Sequence, residues 1–350
     1  MTLSQTPIIV QGTPAPTIRP SSIDKYVSST DLYPVQRIKF LDLNTRSLLQ
    51  GRNGPCPLLA ISNVLLLKGA LTLPEDSVEA TFEWLTSQLA GLMRDEMSRL
   101  GAEMYEGSSL EDCICVLGSL NKGLQVDVTF LSADGFEDTK EMGVFKNLGV
   151  AVYHGWIVSE EDMNAFPHVS RLSYNEAVDK VAHCEELKSR IISGGDFESI
   201  SEHKDTIEEG EAISNWLSET SSQLTTDGII QLNARMENGG LAVLFRNNHF
   251  SVIHKRNDRL YSLATDVGFR STGIAWESLD QVDGDSEYFT ESFTPILLNA
   301  VREAEMTSDY ELALRLQFEG MTNSNCSPPR QAAVRPQGVM KKKKNKCTIM

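Results

Sequence analysis

The sequence predicts an α+β fold in which helices come first and a mostly antiparallel sheet follows. Three observations carry that reading. Residues 55–67 place apolar side chains at helical spacing behind a leading proline, Pro55. Residues 76–100 read as a second, longer helix. Far along the chain, 241–245, 249–255 and 260–264 have the composition of buried strands, and the turn-like Arg256-Asn257-Asp258 joins the last two.

Taken in order, residues 1–32 are rich in Thr, Ser, Pro and Gln and are expected to be a disordered lead-in. Order is expected to begin near Tyr33-Pro34-Val35, and 37–43 alternates like a strand. Beyond the two helices, 126–131 and 150–158 read as strands, the latter carrying Tyr153 and Trp156. Residues 185–222 are charged and suit surface helices with a loop. The expected division is a lead-in at 1–32, a main domain at 33–300, a helix within 301–321 and a disordered basic tail at 322–350. No internal repeat is visible.

The composition narrows the function. With 350 residues, 41% of them hydrophobic, the chain can bury a sizeable core. A net charge of −16 argues against nucleic-acid binding, which needs clustered Lys and Arg. Six scattered cysteines are too few for a disulfide scaffold. Cys113 and Cys115 lack the partners of a zinc site, so neither metal nor cofactor is expected. Met1 is followed by a polar stretch rather than a signal-peptide pattern, and apolar runs such as 64–67 are too short to span a bilayer. The expected compartment is the reducing cytosol.

Gln50-Gly51-Arg52-Asn53-Gly54-Pro55-Cys56-Pro57-Leu58-Leu59 is the most informative stretch. It sets Cys56 at the mouth of a helix, where partial positive charge and unpaired amides favour the thiolate nucleophile. Gln50, on the entering loop, is placed to donate to an oxyanion. A buried, inert cysteine beside a Pro-rich turn is the bland alternative. A thiolate enzyme needs a base, and Asn247-Asn248-His249-Phe250 offers His249 at the start of an apolar strand. His154, in Tyr153-His154-Gly155-Trp156, is its competitor. If His254 faces Leu260 across a hairpin, His249 faces Thr265, which becomes the candidate to orient the imidazole. A one-residue shift would hand that role to Asp266.

These motifs, with Ser173-Tyr174-Asn175, Thr265-Asp266-Val267-Gly268-Phe269, Trp276-Glu277-Ser278-Leu279 and Val282-Asp283-Gly284-Asp285, resemble the MINDY family of deubiquitinases over residues 33–290. The resemblance implies a variant papain-like fold and cleavage of lysine-48-linked polyubiquitin from the distal end. It implies Cys56 as nucleophile, His249 as base and Gln50 as oxyanion donor. Trp156, Tyr174 and Val126 fall where the family contacts distal ubiquitin, although core packing also explains such aromatics. Where the family carries Asn-Glu after the Gln, this chain has Gly51-Arg52, so the resting shape of the cysteine loop is left open.

Two signals lie near the C-terminus. Residues 308–317 read as a capped helix with Leu312, Ala313 and Leu316 on one stripe, similar to the inverted ubiquitin-interacting helix of that family. An amphipathic helix packed on the domain fits the same pattern. The chain ends Cys347-Thr348-Ile349-Met350 behind Lys341–Lys344 and Lys346, a prenylation box of the farnesyl type with a basic membrane signal. The expected partners are therefore polyubiquitin and a membrane surface, with peripheral membrane association. A ubiquitin-binding adaptor that performs no cleavage is the competing function.

Overall fold

The computed structural model describes residues 32–51, 54–100, 109–194, 203–282 and 286–296. The expected lead-in (bar Leu32), the stripe of Leu312, Ala313 and Leu316, and the Cys347 box lie outside the described residues. All described residues belong to the unit spanning 1–298.

Strands β1 (Leu32–Phe40) and β2 (Leu43–Leu48) form an antiparallel hairpin in the register Val35↔Leu48. A short β3 (Glu79–Thr81) adds to the other edge of β1. Between them runs α1 (Cys56–Leu67), in which every residue after Cys56 is buried. A helix apolar on all sides belongs inside a core, and α1 is the axis of this one.

Helix α2 (Phe82–Leu100) starts later than the sequence suggested. Glu79-Ala80-Thr81 alternates exposed, buried, exposed, and is claimed by β1. The Thr81 hydroxyl then caps α2 by accepting the Trp84 N–H at 3.1 Å. Helices α3 (Leu110–Leu117), α4 (Lys140–Asn147), α5 (Phe166–Val169), α6 (Tyr174–Gly194), α7 (Lys204–Glu219) and α8 (Thr226–Arg235) complete the helical part.

The large sheet holds β4 (Val152–His154), β5 (Leu241–Arg246), β6 (His249–Arg256), β7 (Arg259–Leu263), β8 (Trp276–Ser278), β9 (Tyr288–Phe289) and β10 (Pro295–Ile296), side by side in reverse chain order. Every pair is antiparallel except β4 with β5. One face presents Val243, Phe245, Phe250, Val252 and Trp276 to the α1 core. Part of the other face is closed by a smaller cluster of Leu244, Ile253 and Leu260 with Leu232 of α8.

Beyond the later start of α2 and the shrinking of the strand read over 150–158 to Val152–His154, two expectations fail for physical reasons. Residues 126–131 form no ladder, only single bridges Val128↔Phe136 and Thr129↔Ser173. Their backbone groups go to separate partners: Val128 O accepts the Tyr174 N–H, and Phe130 O accepts the Val158 N–H. The β6–β7 register is also shifted by one, with His254 opposite Tyr261 rather than Leu260. The turn is two residues long, Asn257-Asp258, with both φ values positive at 50° and 59°. Asn and Asp tolerate that left-handed region and build the tight hairpin turn that matches strand twist.

Candidate active site

The site is assembled from α1, the end of β2 and the β5–β6 hairpin. Leu48 closes β2, and its backbone N–H and C=O both bond the side chain of Asn63, at 2.7 and 3.0 Å, deep in the core. That clamp fixes the chain two residues before Gln50. Gln50 then bridges to the stretch after β7, donating its N–H to Thr265 O at 2.6 Å and accepting the Val267 N–H at 3.1 Å. From there the loop returns to Pro55, and Cys56 opens α1 half-buried.

His249 is delivered by a second tight turn. Asn247 and Asn248 have φ of 51° and 56°, so β6 begins at once after β5, with His249 directly opposite Arg246. The turn is held from outside, since Gln223 Oε1 accepts the Asn247 N–H at 2.8 Å.

The predicted residues gather in two adjoining clefts. Cys56, Val126, Trp156 and Tyr174 line one of about 830 Å³. Gln50, His249, Thr265 and Asp266 line another of about 560 Å³. Among the described residues no hydrogen bond joins Cys56 to His249. The two candidate residues are neighbours in the chain sense: Phe250, one residue past His249, lines the Cys56 cleft.

Electrostatics in this arrangement keep both groups neutral. Burial pushes the Cys56 thiol above its ordinary pKa, and the amides of Phe250 and Cys56 only partly oppose it. The sequence suggested the reverse, but the desolvation cost here exceeds the help of a helix terminus. Burial likewise pushes His249 below its usual value, which favours the uncharged imidazole able to accept a proton.

Gln50 is occupied as well. Its Nε2 donates to Gly54 O at 3.1 Å, inside the cysteine loop. Of the two candidate orienters, Asp266 uses a carboxylate oxygen to accept the Gly268 N–H at 2.7 Å, while Thr265 is half-buried at the cleft wall. The observed β6–β7 register, extended, would set Asp266 opposite His249, but the ladder stops at Ile253↔Ser262.

The other two histidines of the large sheet are structural. His154 is buried, donates from Nε2 to Gly135 O at 3.0 Å and accepts the Trp156 N–H on Nδ1 at 3.2 Å. Those bonds fix the neutral tautomer, and burial drops its pKa to about 4. His254 is buried among the rings of Phe40, Trp276 and Phe293.

Trp156 and Tyr174 differ in exposure. Trp156 is 5% exposed, stacks on Trp216 at 5.7 Å and donates from Nε1 to Thr220 Oγ1 at 2.7 Å. Tyr174 is 39% exposed and lies 5.6 Å from the Trp156 ring. Trp156 is therefore a core residue backing Tyr174, which is the ring a partner would meet. Sequence reasoning missed Asn63 and Phe250. Asn63 had a signal, as one of the two polar residues, with Ser62, that interrupt the apolar run Leu58-Leu59-Ala60-Ile61-Ser62-Asn63-Val64. No group of three or more metal-ligating side chains exists among the described residues, and no helix there is long and apolar enough to cross a membrane.

Comparison with known proteins adds an independent line. Residues 31–293 match the family model described as MINDY deubiquitinase. The chain is 35% identical over 299 residues to ubiquitin carboxyl-terminal hydrolase MINDY-2 of Bos taurus, across 82% of this chain and 45% of that protein. It is 35% identical over 267 residues to ubiquitin carboxyl-terminal hydrolase MINDY-1 of Homo sapiens, across 75% of this chain and 54% of that protein. The chain thus spans about half the length of these curated relatives.

Proposed function

The chain belongs to the MINDY deubiquitinase family, and from that premise we propose that it is a thiol-dependent deubiquitinase that trims lysine-48-linked polyubiquitin from its distal end. We read the domain as a papain-like variant, with the nucleophile at the mouth of a central helix and the base on an antiparallel strand. One observation carries this reading. Cys56 opens a core helix into a cleft that also holds Val126 and Tyr174, and Phe250, the residue after His249, lines the same cleft.

In the proposed reaction His249 takes the Cys56 proton, and the thiolate attacks the carbonyl carbon of the isopeptide bond. The Gln50 Nε2, released from the Gly54 carbonyl, donates to the oxyanion. His249 then gives its proton to the departing lysine amine, the C–N bond breaks, and water hydrolyses the remaining thioester. Enzymes often tighten such hydrogen bonds only when substrate is bound, and chain binding supplies the step that brings the two clefts into register.

The segment with Leu312, Ala313 and Leu316, expected from its sequence to be helical, is read as a further ubiquitin contact. Cys347, prenylated beside its lysines, is read as the link to a membrane from the cytosolic side. Incubation with tetraubiquitins of defined linkage tests the substrate assignment. Stepwise loss of single ubiquitins from lysine-48-linked chains is expected, and equal cleavage of all linkages would refute the specificity. Binding of chains with no cleavage of any would leave the adaptor function. Cys347→Ser should move the protein from the membrane to the soluble fraction, and an unchanged distribution would remove the anchor.

A further inference from the structure

The separation of the two clefts assigns them to opposite sides of the scissile bond. This step rests on the deubiquitinase reading above. A base that also serves as general acid must touch the leaving amine, and His249 lines the smaller cleft. The protein that carries the leaving lysine therefore departs along that groove, while the acyl side occupies the cleft of Cys56.

The groove runs over the outer face of the large sheet. Arg246 and His249 stand opposite each other at one end, with Ser251 next along β6. Farther on, Ile253 pairs with Ser262 and Ser262 with Glu277, so Glu277 shares their face two strands away. Strand spacing and rise place it roughly 10 Å across and about 13 Å along the sheet from His249. That span suits a short extended segment.

Glu277 is half-buried and lines the groove, yet among the described residues it has neither a hydrogen bond nor an ion pair for its carboxylate. Its carboxyl is raised above the usual carboxylate range by burial alone, with no cation to offset the cost. A carboxylate kept in a groove without a partner is matched to a cation that arrives with the ligand. Arg246, at the other end, bonds only carbonyl oxygens, those of Ser222 at 2.7 Å and Val282 at 3.2 Å. It stands near the reacting atoms, where it discourages a second positive charge and leaves Glu277 as the cation-accepting end.

We propose that this groove is the leaving-group subsite and that Glu277 holds a lysine or arginine side chain of the acceptor protein near its modified lysine. Glu277 acts as a specificity residue and takes no part in the bond changes. The test compares a substrate that has an acceptor with a probe that lacks one. Glu277→Gln should raise KM for lysine-48-linked chains by roughly tenfold, as loss of one partner of a partly desolvated charge pair does, and leave kcat within about twofold. The rate at which ubiquitin with an electrophilic C-terminus labels Cys56 should not change. Glu277→Asp, which keeps the charge, should recover most of the wild-type KM. An unchanged KM would overturn the assignment. So would a parallel loss of labelling and chain cleavage, or failure of Glu277→Asp to recover, because each marks a structural role. Wild-type protein inert toward both chains and probe would instead sink the deubiquitinase reading itself.

Discussion

Cys56 and His249 reach the same neighbourhood by opposite means. Cys56 is placed by packing: α1 is buried on every side, and the aromatic stack of Trp156, Trp216 and Phe130 backs the cleft it opens into. His249 is placed by turn chemistry: two asparagines with positive φ, tied to Gln223, begin its strand. The loop from Gln50 to Cys56 joins these regions and lets them meet. A core-built half resists change in volume, whereas a turn-built half depends on a few backbone conformations and polar contacts. The difference makes Cys56 the fixed member of the pair and the loop and His249 the adjustable ones.

Trp156→Ala should break the packed half. Loss of a buried tryptophan costs about 3–5 kcal/mol, so the thermal midpoint should fall sharply and activity should fall with it. A stable variant with weaker chain binding would make Trp156 a contact residue instead. Gln50→Ala strikes the joining loop. Its turnover should fall on the order of 10²-fold with the fold intact, as removal of one oxyanion donor does elsewhere. Unchanged turnover would leave that task to backbone amides.

The sequence showed the packed half more clearly than the joints. Helix 55–67 was legible because a leading proline and an unbroken apolar run have few other uses. The strands around His249 were legible because short β-rich runs flank polar turns. The β6–β7 register was misread by one because Arg256-Asn257-Asp258 admits a two- or a three-residue turn, and only the backbone decides. The thiol pKa was misjudged because a helix terminus is visible in sequence while depth of burial is not. The resemblance points to Trp156 as a contact, whereas its 5% exposure follows from packing on Trp216, sixty residues away. Asn63 and Glu277 needed the folded arrangement, since their roles depend on which partners face them.

A pH titration isolates the structural role of His154. His154 has a folded pKa of about 4, below its unfolded value of 6.5. A depressed pKa adds stability above the unfolded value that is lost as pH falls toward the folded one. Stability should therefore decline between pH 6.5 and about 4, by up to ~3 kcal/mol at 1.36 kcal/mol per unit. His154→Gln should flatten that decline in denaturant titrations, and an unaltered slope would place the protons elsewhere. The smallest effect concerns Tyr174→Ala. Its thermal midpoint should hold while KM for chains rises about tenfold, in line with loss of one aromatic anchor. A fall in stability with no change in KM would return Tyr174 to the core.

Covalent capture tests the central claim most directly. Ubiquitin bearing an electrophilic C-terminus should form a one-to-one adduct with the wild-type chain, mapped to Cys56 by peptide mass spectrometry. Cys56→Ala should form none, and His249→Ala should label far more slowly than wild type. An adduct on Cys113, Cys115 or Cys184, or equal labelling of Cys56→Ala, would contradict the account.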